Sequence, residues 1–202
     1  KVGKILDKAK ELGFDTIGLA DYNGMYGIME FYSKAKKMDI KALCGIELTL
    51  TTVLAKTPSQ YQYVTLLAKN YQGYLHLMKL TTIANTVGNG GLATIDIATL
   101  KEHADGIICI LGGQRSLLAS QLDDLKTGES FDKLIEESIK PFQEIFGEDF
   151  YLEITAQDYK LETHLELSNE QIMKISLQTK IPCTVTSNFH YINKDDKIAY
   201  ET

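Results

Sequence analysis

Three acidic or imidazole side chains hold the chemistry this sequence can offer. Asp21 closes the apolar run Thr16 to Ala20, Glu47 follows Gly45-Ile46 on the next apolar run, and His190 lies in Ser187-Asn188-Phe189-His190-Tyr191 after the last one. Carboxylates and imidazoles at the carboxyl ends of separate strands are where barrel enzymes keep metal ions, and such ions activate water against phosphoesters or carbonyls. A lone carboxylate ending a buried strand is also costly unless paired or hydrogen-bonded. Each residue alone therefore has a structural reading, in which Asp21 accepts backbone N–H groups of the turn around Asn23 and Gly24. Asn188 and His190 would bond to each other's neighbours or to Tyr22.

Strands and helices alternate around these positions. Ile5, Leu6, Ala9 and Leu12 keep helical spacing, and Gly13 ends that helix. Tyr26 to Met38, Tyr71 to Val87, Ile95 to His103, Leu117 to Leu125 and Leu161 to Thr179 read as helices, and Asp195 begins another. Thr94 or Asp96 caps the helix that ends at His103. Phe131 to Phe146 keeps a helical stripe interrupted at Pro141, where a kink or two abutting helices are expected. Strands are expected at Thr16 to Ala20, Ile40 to Leu50, Tyr61 to Ala68, Gly106 to Leu111, Phe150 to Ile154 and Pro182 to Ser187. This alternation predicts an α/β fold of parallel strands with right-handed crossovers, either doubly wound or a barrel.

The bulk composition narrows the function. The chain has 202 residues, 44% hydrophobic and 24% charged, which suits one globular domain over residues 1–202. A net charge of -6 argues against a stand-alone nucleic-acid binder, because phosphate contacts need clustered Lys and Arg. Cys44, Cys109 and Cys183 lie far apart in apolar runs and read as buried thiols of a reducing, cytoplasmic protein. No run approaches the roughly 18 apolar residues of a membrane span. Gly88-Asn89-Gly90-Gly91 and Gly112-Gly113 lack the Lys-Ser/Thr or third glycine of a phosphate loop. His76, His103 and His164 sit in helical segments and read as surface residues. The start at Lys1 suggests a piece of a longer chain.

Several segments carry a resemblance: Ala9-Lys10-Glu11-Leu12-Gly13, Asp21-Tyr22-Asn23-Gly24-Met25-Tyr26-Gly27, Cys44-Gly45-Ile46-Glu47, Leu66-Leu67-Ala68-Lys69-Asn70, Gly73-Tyr74, Leu77-Met78-Lys79-Leu80, Phe150-Tyr151-Leu152-Glu153 and Asn188-Phe189-His190-Tyr191. In order and spacing they resemble the polymerase and histidinol phosphatase (PHP) domain at the start of bacterial DNA polymerase III alpha subunits. The resemblance implies a distorted seven-stranded (β/α) barrel whose first strand lies upstream of residue 1. An isolated piece lacking that strand is expected to lose stability or self-associate. Metal-bearing relatives hydrolyse phosphoesters there, in some polymerases as a 3′-5′ exonuclease.

By the same resemblance, Asp21, Glu47 and His190 match family ligands. Tyr22 stands where the family has His, Gln114 where metal-bearing members often have Cys, Gln157 at a family His, and Asn188 at the Asp of the closing Asp-x-His. Protonated Tyr and neutral amides are poor replacements, since catalytic zinc commonly takes three good protein ligands. The resemblance thus implies a silent domain of a DNA-directed DNA polymerase, a nucleotidyltransferase of DNA replication. It would carry no catalytic residues and no metal, and it would serve as a structural and interaction module. Its partners would be the remaining polymerase domains and other replisome proteins, with DNA reached only through the parent and no membrane involved. The alternative is an active zinc- or manganese-dependent phosphoesterase or exonuclease. A free-standing phosphatase of the histidinol phosphate type is a third reading.

Overall fold

The computed structural model describes residues 2–51, 62–87, 93–113, 116, 118, 131–156, 163–187 and 189–192. In chain order the elements are α1 (Val2–Glu11), β1 (Thr16–Tyr22), α2 (Ile28–Lys37), β2 (Lys41–Leu50), β3 (Gln62–Ala68), α3 (Tyr71–Val87), α4 (Ile97–Glu102) and β4 (Ile107–Gly112). There follow α5 (Phe131–Leu134), a π-helical turn (Ile135–Ile139), α6 (Lys140–Phe146), β5 (Phe150–Thr155), α7 (Thr163–Thr179) and β6 (Cys183–Thr186). The strands form one sheet in the order β1-β2-β3-β4-β5-β6. Among the described residues, β1 and β6 are its two edges. The segments expected at Leu117 to Leu125, around Gly88 to Gly91 and from Asp195 onward lie wholly or largely outside the described residues.

The sheet is mixed. β1 runs parallel to β2, and β4, β5 and β6 run parallel to one another, but β3 is antiparallel to both β2 and β4. This corrects the all-parallel expectation. Only eleven residues, 51–61, join β2 to β3, fewer than the dozen or more that a parallel crossover takes. The sheet is a curled half-barrel of six strands.

Strand parity divides the sheet into two faces. Ile17, Leu19, Ile46, Leu48, Leu50, Val64, Leu66, Cys109, Leu111, Phe150 and Leu152 point outward, and helices cover them. Leu6 of α1 with Phe31 and Ala35 of α2 packs against Ile17 and Leu19. Leu77, Leu80 and Ala84 of α3, Phe142 and Phe146 of α6, and Ile172 and Ile175 of α7 join the larger cluster over β2 to β5. The inner face carries Tyr22, Glu47, Tyr63, Thr65, Glu153, Thr155 and Thr186, as the register pairs Tyr22↔Glu47, Glu47↔Thr65, Glu153↔Thr184 and Thr155↔Thr186 require. One face is the core and the other is the candidate site.

The ends of elements follow local chemistry. Asp96 caps α4 by accepting the Thr99 N–H at 2.7 Å, and that bond holds its carboxyl below the usual range. Before Pro141 the helix widens into the π turn, because proline has no N–H to continue the ladder and its ring displaces the preceding carbonyl. All three thiols are free. Burial pushes Cys44 up and Cys109 well up, which makes both poor nucleophiles.

Candidate functional site

Asp21 and Tyr22 are adjacent at the end of β1 and therefore project to opposite faces. Asp21 turns outward, toward the first turn of α2, where the Gly27 N–H donates to its Oδ2 at 3.1 Å. Its donor is Gly27 rather than the turn around Asn23 and Gly24. A carboxylate at this place satisfies an N–H that the helix start leaves open.

Tyr22 turns inward. Its Oη lies 3.5 Å from Nε2 of His190, and the two rings stack with centroids 6.0 Å apart. On its other side the Tyr22 ring meets the edge of Tyr63 at 5.9 Å. Glu47 is the register partner of Tyr22 on β2. The structure thus gathers Tyr22, Glu47 and His190 on the inner face and sends Asp21 to the other side. Gln114, Gln157 and Asn188 lie outside the described residues.

Two further residues shape the site, and residue type alone announces neither. Asn23 adopts φ 49° just after β1. Its amide donates to Thr49 Oγ1 at 2.8 Å and accepts the Thr49 N–H at 2.9 Å, while its own N–H bonds the Glu47 carbonyl at 2.8 Å. Asparagine tolerates the left-handed region, so it can fix the turn that carries Tyr22 over the end of β2.

Glu153 is the second, on β5 of the inner face and 9% exposed. The Thr186 hydroxyl of β6 donates to its carboxyl oxygen. Burial raises its pKa, and the Thr186 bond only partly opposes that. Space for it comes from Gly112 and Gly113 of the neighbouring strand end. A Cβ at Gly112 would sit 2.5 Å from the Glu153 Cβ, and one at Gly113 would sit 3.0 Å from Oε2. Beside it, Thr155 Oγ1 is buried without a hydrogen-bond partner among the described residues. A charged residue inside the apolar run Phe150 to Ile154 was the available signal, because Glu is rarely buried without a partner.

The raised pKa has a defined consequence. The unfolded chain releases the Glu153 proton at lower pH than the folded chain does. Stability is therefore full below the ordinary Glu range and falls as pH rises through the folded value. Glu153→Gln keeps an acceptor for Thr186 and removes the titration. Its stability relative to the parent is expected to climb from pH 4 to pH 8 in urea melts. A gap that stays constant over that range contradicts the assignment.

Among the described residues, these donors do not fit a multi-metal hydrolytic centre. Among the described residues no three His, Cys, Asp or Glu side chains form a metal-holding group. His190 shares its Nε2 with a phenol, Asp21 faces the helices, and burial raises the pKa of Glu153 beside hydroxyls. Outside the inner face, the half-buried His76 and His103 sit with rings 5.7 Å apart, and His76 Nδ1 donates to the Asp105 carbonyl at 2.8 Å.

A half-barrel sheet with helices on its convex side and a polar concave side is a fold that solved structures share. It superposes on a putative metal-dependent phosphoesterase from Bifidobacterium adolescentis with TM-score 0.54 and 12% identity, covering 99% of this chain and 89% of that one. It also superposes on an amidohydrolase from Chromobacterium violaceum with TM-score 0.58 and 10% identity, covering 96% and 84%. At such identities the likeness is one of fold.

The chain belongs to the PHP domain family, whose model matches residues 1–157. Among its relatives is the DNA polymerase III subunit alpha of Borreliella burgdorferi, 32% identical across 100% of this chain and 17% of that protein. The corresponding Bacillus subtilis subunit is 32% identical across 98% of this chain and 17% of its own length. The chain thus spans about a sixth of the curated relatives it matches. Among the described residues no helix is long and apolar enough to cross a membrane.

Proposed function

We propose that residues 1–202 form a single PHP module of a longer, cytoplasmic DNA polymerase III alpha-type polypeptide, silent in catalysis and acting as a brace for the polymerizing domains and other replisome proteins. In this reading a seventh strand from outside residues 1–202 closes the half-barrel along a free edge. The observation that carries the silence is the parity split at the end of β1. Asp21 is spent on the N–H of Gly27, and Tyr22 fills the inner face against His190. A phenol protonated at neutral pH contributes no charge to hold a cation. The acidic balance of the chain agrees with a scaffold that does not itself grip DNA.

Elemental analysis of the purified longer protein tests this. Zinc and manganese are expected far below one equivalent, with no hydrolysis of a phosphoester by a polymerase-dead variant. Near-stoichiometric metal together with hydrolysis overturns the reading. The double replacement Tyr22→His, Asn188→Asp is expected to leave metal affinity unchanged in calorimetric titration, because Asp21 still faces the helices. A tight site in that variant would reveal a latent centre that the proposal denies.

A further inference from the structure

The helices that cover the sheet leave one part of their own surface bare. Tyr26 in the turn before α2, and Met29 and Tyr32 on α2, follow one another at three-residue spacing, and all are exposed, Tyr26 at 85% and Met29 at 63%. On α3, Tyr71 at 74% and Met78 at 38% are exposed, with the half-buried Tyr74 between them. The two groups touch. The Tyr74 hydroxyl donates to Met29 Sδ at 3.4 Å, and Tyr71 stacks on Tyr74 with centroids 6.3 Å apart. Tyr and Met side chains thus meet across the two helices.

That composition selects a class of partner. Tyr and Met are enriched where proteins meet proteins, since they supply broad apolar contact at modest ordering cost. A nucleic-acid strand would need many clustered cations, and α2 offers Lys34, already 2.6 Å from Glu30, with only Lys36 and Lys37 besides. Size selects further. Free-standing protein interfaces use about 20–30 residues a side, many more than this patch offers. A tethered partner needs less, because its effective concentration is about 1 mM for a short flexible link. The relatives contain roughly five times as much polypeptide again as this chain spans.

We propose that the Tyr/Met surface of α2 and α3 is an intramolecular docking site, covered in cis by another domain of the longer polypeptide. This rests on the reading of the chain as a module of such a polypeptide. It adds which face does the bracing, on the side of Asp21 and away from the polar inner face.

Hydroxyl-radical labelling of the intact longer protein tests it, with Met173 of α7, 45% exposed, as the internal standard. On exposure alone Met29 would oxidise at least as fast as Met173. A cis contact with an intrinsic Kd of about 0.1 mM would be closed about nine-tenths of the time at millimolar effective concentration. Labelling of Met29 is therefore expected to fall about tenfold against Met173, and to stay low on dilution. Tyr26→Ser with Tyr71→Ser is expected to restore Met29 labelling and leave Met173 unchanged. Met29 labelling at the rate of Met173 overturns the proposal, which also covers the case of a separate partner protein. Protection that vanishes on dilution overturns it in favour of a second copy. Metal analysis of the same sample judges catalytic silence separately, since a metal-loaded inner face would leave Met29 protection untouched.

Discussion

Gly73→Ala is expected to destabilise the fold by about 3 kcal/mol, which lowers the melting temperature by roughly 6–12 °C for a chain of this length. The reason is a backbone crossing. A Cβ at Gly73 would lie 1.8 Å from the carbonyl oxygen of Gly106, far inside van der Waals contact, and the obstacle is main chain that has no rotamer to change. That carbonyl also accepts the Lys69 N–H at 2.9 Å, and Asn70 Oδ1 accepts the Gly73 N–H at 2.9 Å, so each side of the crossing is pinned. Gly106 itself sits at φ +71°, where a side chain is strained, and its Cβ would meet Asn70 Oδ1 at 2.5 Å. The start of α3 and the turn into β4 must part to admit a methyl group. Gly106→Ala should cost a comparable amount. The double variant should cost less than the sum, because the first separation makes room for the second. Urea melts check this through a shifted midpoint at unchanged slope. Full additivity, or a Gly73→Ala cost below about 1 kcal/mol, would show that the crossing is looser than the structure has it.

Gly73 also marks where reading the sequence stops. Gly73-Tyr74 stands out as part of the family pattern, yet nothing in the residue string says that the obstacle is a carbonyl of Gly106, thirty-three residues on. Elements with strong periodicity were legible. Ile28, Phe31 and Ala35 announce the inner side of α2, and the apolar runs announce β1, β2, β4, β5 and β6. The direction of β3 was not, because alternation of apolar runs carries no sign and only the connection decides it. The site was legible as residue types and not as geometry. Asp21 and Tyr22 are neighbours in sequence, and at period two neighbours are as far apart as the sheet allows. Placing Asp21, Glu47 and His190 at strand ends was not enough to put them in one cleft. Asp21 turned out to serve the Gly27 N–H, and the inner face acquired Glu153, which the resemblance supplied only as part of a strand.

Phe150→Ala carries the other large effect and separates the structural reading from a chemical one. Phe150 is fully buried at the start of β5, its ring stacked 6.0 Å from Phe142 of α6 and its backbone in register with Cys109 of β4. It joins the sheet to α6 on the outer face, while Glu153 and Thr155 of the same strand face inward. Removing the ring should cost about 3–5 kcal/mol, since the lost transfer energy adds to a cavity that surrounding strands fill poorly. Phe142→Ala should be coupled to it by about 0.5–1.5 kcal/mol through the aromatic pair. If the module acts as a brace, nucleotide incorporation by the longer polypeptide should survive Glu153→Gln and Tyr22→Phe at every temperature at which the fold persists. In Phe150→Ala it should fail at a temperature lower by the same interval as the melting point of the module. Loss of incorporation with Tyr22→Phe or Glu153→Gln in a protein of undiminished melting temperature would assign chemistry to the inner face, and the brace would no longer account for why the module is there.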